Sequence, residues 1–235
     1  ALYKHIDGRL FIGTGGGVAI MQPSGSISAL DFSSLDGAEY AFGFAPDPQS
    51  DILWMTTDRG LVAYHLNSGQ LQIIGRGAGL PFDKVFQAVI DQDNNIWLSS
   101  NRGVIRLLRT QVDQLLSGER SSVDYELFGE SDGMQSAQTN GGSMQAATLS
   151  ADGSIVFATS KGVSVIKPDD LKRFAVNVPP VVVEGLKVDG SPVPLQQEIQ
   201  LPAGTHRLEL QFAGLHTRAA VYALAMAVYC SSWTF

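Results

Sequence analysis

Four times along the chain the same alternation of polar and apolar positions returns. A polar turn of Asp, Asn and Gly leads into a short run holding one large aromatic. A turn closing on glycine follows, and then a second apolar run. The four copies are Asp7-Gly8-Arg9-Leu10-Phe11-Ile12-Gly13-Thr14, Asp51-Ile52-Leu53-Trp54-Met55-Thr56-Thr57, Asp93-Asn94-Asn95-Ile96-Trp97-Leu98-Ser99-Ser100 and Asp152-Gly153-Ser154-Ile155-Val156-Phe157-Ala158-Thr159. Their aromatics Phe11, Trp54, Trp97 and Phe157 are 43, 43 and 60 residues apart, and the glycines Gly17, Gly60, Gly103 and Gly162 are 43, 43 and 59 apart. A helical repeat of this length needs apolar residues at i, i+3 and i+4 over ten or more positions, which these units lack. Forty-odd residues hold four short strands and their turns, the size of a β-propeller blade. The pattern therefore predicts an all-β fold, with about four blades of four-stranded antiparallel sheet over residues 1–176.

Within each unit the glycine suits a hairpin turn that needs positive φ. The aromatics are expected to be structural anchors filling the wedge between blades, with sugar stacking by Trp54 or Trp97 as the other reading. The third unit carries an insertion over 108–144. In it, Thr110 to Gly118 reads as a short helix with a capping-type start, and Val123 to Phe128 as an outer strand. Near residue 175 the repeat stops. Asn177-Val178-Pro179-Pro180 reads as a stiff extended connection, since each proline fixes φ and biases its predecessor. Residues 177–220 then read as the start of a β-sandwich, with His206, Leu208, Leu210 and Phe212 on one strand face and Arg207, Glu209 and Gln211 on the other. The apolar stretch at 221–235 fits neither pattern and reads as a truncated or frame-disrupted end; its 12-residue core is shorter than the roughly 20 residues a membrane helix needs.

Composition narrows the chemistry. A net charge of −7 makes a nucleic-acid surface improbable, and a single cysteine, Cys230, excludes a disulfide scaffold or a four-Cys zinc site. The four histidines, at 5, 65, 206 and 216, show no metal-ligand spacing. Asp91-x-Asp93-x-Asn95 resembles the start of a calcium loop, but Ile96 and Arg102 stand where that loop needs Gly and Glu, so turn formation is the expected role. No nucleophile elbow or phosphate-binding loop appears. Catalytic residues, metal and cofactors are therefore not expected. The repeat does align Arg59, Arg102 and Lys161, each just before the turn glycine, and so puts three cations at one end of the blades. Asn140, in the loop leading into the fourth unit, would face the same end. These residues either form an electropositive rim for an acidic ligand, or pair with a neighbouring Asp and solvate their turns.

Taken together, Gly79-Leu80-Pro81 through Asp91, Asn95 to Ser99 and Asn101-Arg102-Gly103-Val104 resemble the two-component regulator propeller repeat. Asp132-Gly133-Met134, Asn140-Gly141-Gly142 and Asp152 through Asp170 resemble the last blade of such a propeller. Pro179-Pro180 onward is similar to the tyrosine-rich immunoglobulin-like domain that follows it in that family. The resemblance implies a non-catalytic, ligand-sensing, periplasmic part of an inner-membrane signal-transduction protein. Such proteins end in a hybrid histidine kinase feeding a phosphorelay, or in a diguanylate cyclase. It further implies a small ligand, with an acidic oligosaccharide as the candidate, a homodimer of the full-length protein, and a membrane segment outside this chain, which starts at Ala1 and reads as an excerpt. The rival functions are a polysaccharide lyase or hydrolase on a propeller, and a protein–protein scaffold.

Overall fold

A computed structural model of the chain describes residues 1–32, 35–141, 145–174, 181–196, 199–201 and 203–214. It falls into two units, Ala1–Arg173 and Phe174–Phe235. In the first, each alternating run has become a strand of an antiparallel sheet. The first sheet is β1 (Leu2–Lys4), β2 (Leu10–Thr14), β3 (Gly17–Met21) and β4 (Ile27–Ala29). The second is β5 (Ala41–Pro46), β6 (Ile52–Thr57), β7 (Leu61–His65) and β8 (Leu71–Ile74). The third is β9 (Gln87–Ile90), β10 (Ile96–Ser100), β11 (Gly103–Leu107) and β12 (Tyr125–Phe128). The fourth has three described strands, β13 (Ala147–Leu149), β14 (Ile155–Thr159) and β15 (Gly162–Ile166). Strands pair in chain order within each of these four sheets. The first strands β1, β5, β9 and β13 surround a common cavity, which makes the arrangement propeller-like.

The core lies between successive sheets. Phe11 packs with Leu53, Met55, Val62 and Tyr64 of the second sheet. Trp54 packs with Ala88, Ile96, Leu98 and Ile105 of the third, and Trp97 with Ala147, Ile155 and Phe157 of the fourth. All four anchor rings are 0% exposed. A ring on the second strand of one sheet thus fills the wedge toward the next, where flat sheets diverging from a hub leave most room. The two tryptophans carry an N–H that phenylalanine lacks, and a buried donor needs an acceptor. Trp54 Nε1 donates to Asp47 Oδ2 at 2.8 Å, and Trp97 Nε1 donates to Asp91 Oδ2 at 2.8 Å. Asp91 also accepts from the backbone N–H of Asn95 at 2.8 Å. It is the pin of that turn and holds Trp97 at the same time.

The long spacing before the fourth unit comes partly from α1 (Arg109–Leu116), set between β11 and β12. The capping-type start expected at Thr110 is not used. Leu108 is the N-cap and supplies no side-chain bond. Tertiary contacts hold the helix instead: Val112 is buried, Arg109 Nη1 donates to Asp47 Oδ2 at 2.8 Å, and Gln72 Nε2 donates to the Leu116 carbonyl at 3.0 Å. An eight-residue helix is marginal alone, so packing outweighs a missing cap. Leaving the second and third sheets, the chain makes two similar 3-10 turns, Arg76–Ala78 closing on Gly79 and Glu130–Asp132 closing on Gly133. They bury Leu80 and Met134. The helix α2 (Pro168–Phe174) reaches the boundary between the units, with Pro168 at its first position and Asp169 and Asp170 in its first turn.

In the second unit, β16 (Val181–Val188) is flanked by β17 (Ser191–Val193) and β18 (Leu208–Gly214), all antiparallel. Of the face expected to be half-buried in β18, the described side chains are open, and that of Phe212 lies outside the described residues. Leu208 is 45% exposed and Leu210 36% exposed, while His206 precedes the strand and is exposed. Alternation chooses which residues share a face; burial also needs an opposing layer, and the described residues of this unit form a single three-stranded sheet. The double proline and the tail 221–235 lie outside the described residues, as do His216 and Cys230.

Candidate functional site

The hairpin between the second and third strands of each sheet is built the same way. Thr14, Thr57, Ser100 and Thr159 end the second strand, and each hydroxyl donates to the carbonyl of the glycine three residues on, at 3.3, 2.8, 2.8 and 3.0 Å. Each of those oxygens also accepts a backbone N–H from two residues on: Gly16, Arg59, Arg102 and Lys161. The closing glycines have φ of 101°, 132°, 126° and 117°. A Cβ on Gly60 would strike the Ile74 carbonyl, and one on Gly103 the Phe128 carbonyl, because the fourth strand passes beside the turn. The side chains of the two residues between hydroxyl and glycine take no part in these repeated bonds.

Arg59, Arg102 and Lys161 occupy these tips, and all three are exposed. Ion pairs among the described residues engage Arg9, Arg76, Arg106, Arg109, Arg120, Lys187 and Arg207 instead. Arg102 lies over the ring of Phe82, 5.3 Å from its centroid. The connections between sheets reach the same end. Asp58 Oδ1 accepts the backbone N–H groups of Glu39 and Tyr40 at 3.0 and 2.9 Å, so this carboxylate fixes a loop beside Arg59. The Thr57 carbonyl accepts from Val85 N–H at 3.1 Å, and the Ser100 carbonyl from Thr139 N–H and Oγ1 at 3.1 and 2.7 Å. Asn140, exposed, follows at once; its backbone N–H donates to the Ala158 carbonyl at 3.0 Å.

A row of aromatics that the repeat does not announce runs along this end. Tyr40 and Phe42 stack at 6.2 Å and 10°, and Phe42 meets Phe86 edge-on at 5.5 Å and 82°. Phe42 is the extra residue of a β-bulge: Ala41 pairs Thr57 and Gly43 pairs Thr56, leaving Phe42 unmatched. A bulge re-aims a side chain in this way. The row is bounded by glycines. A Cβ on Gly15 would come to 2.9 Å from the Tyr40 ring, and one on Gly141 to 2.5 Å from the Phe86 ring. The signal in the sequence is an aromatic just before or at the start of two inner strands, Phe42 and Phe86, outside the repeated core pattern.

The first strands line a cavity of about 360 Å³, bordered among others by Tyr3, Phe44, Gln87, Gln145 and Thr148, with no Asp, Glu or His among the described lining residues. Among the described residues no group of three or more His, Cys, Asp or Glu could hold a metal ion, and no helix is long and apolar enough to cross a membrane. At the far edge of the first sheet, Asp7 is lowered from 3.8 to about 2: its slight burial works the other way, and hydrogen bonds from Arg9 and His5, together with the Arg9 charge, prevail.

Neither a protein-family model nor a curated protein sequence matches the chain. Solved structures do. The extracellular domain of BT3049 from B. thetaiotaomicron, assigned to hybrid two-component systems, superposes with a TM-score of 0.68 at 21% identity, over 91% of this chain and 28% of that one. The extracellular domain of BT4673 from the same organism gives 0.53 at 14%, over 70% and 21%. PorZ, a surface component of the type-IX secretion system of Porphyromonas gingivalis, gives 0.50 at 16%, over 77% and 27%. At these identities the shared property is the fold, and this chain spans less than a third of each neighbour.

Proposed function

We propose that this chain is a non-catalytic, ligand-sensing part of the extracytoplasmic region of a membrane-bound signal-transduction protein. One observation carries the reading. The likeness to the BT3049 extracellular domain extends over 91% of the chain, so it takes in the propeller-like unit and reaches into the sheet that follows. The full protein is a member of the two-component regulator propeller family, with a kinase or cyclase output beyond the membrane. Its ligand is an acidic oligosaccharide, held at the hairpin end by Arg59, Arg102 and Lys161, with Asn140 as a polar contact. A guanidinium matches a carboxylate or sulfate with two N–H groups; the net −7 of the chain repels an anion, so attraction is confined to places where cations stand unpaired. Occupancy signals only by binding one arrangement of a periplasmic dimer more tightly than another. The rival lyase or hydrolase reading needs a carboxylate or histidine at the axial mouth, where the described lining residues are apolar or amide and hydroxyl groups.

The test is titration calorimetry of the complete protein against uronate-bearing, sulfated and neutral hexasaccharides. Arg59→Ala combined with Arg102→Ala is expected to weaken the acidic ligands at least tenfold and to flatten their salt dependence. Unchanged affinity and salt slope would remove the cation end from the proposal.

A further inference from the structure

We infer that the aromatic row Tyr40–Phe42–Phe86 is a stacking subsite for the flat, apolar faces of the ligand's sugar rings, adjoining the cations that hold its anionic groups. The inference rests on the ligand reading above and adds to it a second recognition element, with different residues and a different physical basis.

Three observations converge. The first is a backbone irregularity: the bulge at Phe42 takes one residue out of the ladder between β5 and β6, and the freed ring lies against Tyr40 rather than in the core between sheets. The Phe11, Trp54, Trp97 and Phe157 rings are 0% exposed, whereas Tyr40 is 47% exposed. Phe42 and Phe86 are half-buried beside it, so the row rises from the interior to an open ring at Tyr40. The second is the pair of glycines at its ends. Gly15 belongs to the first hairpin and Gly141 to the connection into the fourth sheet, and a side chain at either place would displace Tyr40 or Phe86. The row therefore spans from the hairpin of the first sheet to the threshold of the fourth. The third is position. Tyr40 follows Glu39 in the loop pinned by Asp58, next to Arg59, and Asn140 adjoins Gly141 beside Phe86. Arg102 keeps its guanidinium over Phe82, which positions a cation without neutralising it.

An open ring face beside exposed cations, one of them positioned over Phe82, suits a ligand that alternates C–H faces with carboxylate or sulfate groups. A uronate chain has that alternation. Tyrosine and phenylalanine offer rigid area at little entropic cost, and the stacking already made between Tyr40 and Phe42 holds them for the incoming ring.

The experiment uses the complete protein, titrated with the uronate-bearing, sulfated and neutral hexasaccharides. Tyr40→Leu keeps the apolar bulk and removes the aromatic face; Phe42→Leu does the same one step along. Each is expected to lower affinity for the acidic hexasaccharide by roughly fivefold, the worth of one aromatic pairing, and to leave the salt slope as it is. Melting curves of both variants are expected to match the parent. Affinity within twofold of the parent in both variants, with Arg59→Ala and Arg102→Ala still weakening binding, overturns the row and leaves the cation end standing. Loss of salt slope in Tyr40→Leu also overturns it, because the residue would then act through the cations. If no member of the panel binds the parent, the ligand reading fails and the row falls with it. If hydroxyl-radical footprinting of the unliganded complete protein finds Tyr40 shielded, the row is a protein contact and the inference is overturned.

Discussion

Asp47→Asn tests how the second sheet, its tryptophan and the α1 helix are tied together. The Asp47 side chain is 0% exposed. One oxygen accepts the backbone N–H groups of Gln49 and Ser50 at 2.9 and 3.1 Å, which closes the turn before β6. The other accepts Trp54 Nε1 and Arg109 Nη1, each at 2.8 Å. Asparagine keeps one oxygen, which can still serve the turn. Its amide nitrogen then faces an indole N–H and a guanidinium, donor against donor. One buried bond and one partly buried, charge-assisted bond are lost; at about 1–3 kcal/mol for each group left unmade, the expected loss is about 3 kcal/mol. For a unit of this size that is a fall in Tm of about 6–12 °C. Arg109 retains Asp113 at 2.7 Å, which keeps the loss from growing further. The assay is equilibrium urea unfolding with an unchanged m-value, repeated in a Trp54→Phe background. There the indole donor is already gone, so Asp47→Asn should cost about 1 kcal/mol less. A loss below about 0.5 kcal/mol in the parent, or the same loss in both backgrounds, would refute the account, since a surface substitution does no more.

Two further outcomes follow from the hairpins and the first sheet. Gly60→Ala meets both a φ of 132° and the Ile74 carbonyl, whereas Gly69→Ala meets a φ of 75° with nothing within 4 Å. Gly60→Ala should therefore cost more than twice Gly69→Ala, with about 1–3 kcal/mol of backbone strain as its floor; equal thermal shifts would contradict the collision. For Asp7, the folded-state value lies below the ordinary carboxylate value, so its contribution is present above about pH 3.8 and fades as pH falls through about 2. An NMR titration of its side-chain carbon should give a midpoint near 2 rather than near 4.

The all-β, propeller-like class was legible because one spacing repeats. A run of 43 residues between Trp54 and Trp97, matched by 43 between Gly60 and Gly103, requires two equal structural units whatever their details. The N–H of each tryptophan could also have been traced in advance: Asp47 and Asp91 stand seven and six residues before it, while no Asp stands six or seven residues before Phe11 or Phe157. Other features depend on partners distant in the chain. The start of α1 follows from Arg109 reaching Asp47 across 62 residues, a contact that local capping rules cannot anticipate. Likewise the exposure of Leu208 and Leu210 reflects what packs on a sheet and is independent of which residues alternate along it.

The site follows a different logic, and it comes from the repeat itself. A hydroxyl three residues before each turn glycine, and the glycine, are held by bonds that recur in all four sheets. The side chains of the two residues between them take no part in those recurring bonds: Gly15 and Gly16, Asp58 and Arg59, Asn101 and Arg102, Ser160 and Lys161. The three cations occupy such places, and so does Gly15, whose missing side chain leaves room for the Tyr40 ring. Phe42 escapes by another route, through a bulge that frees one position of β5 from pairing. Repetition in this protein thus marks the positions that folding needs. Side chains that vary from sheet to sheet stand at the positions the repeat leaves open, in the hairpins between second and third strands.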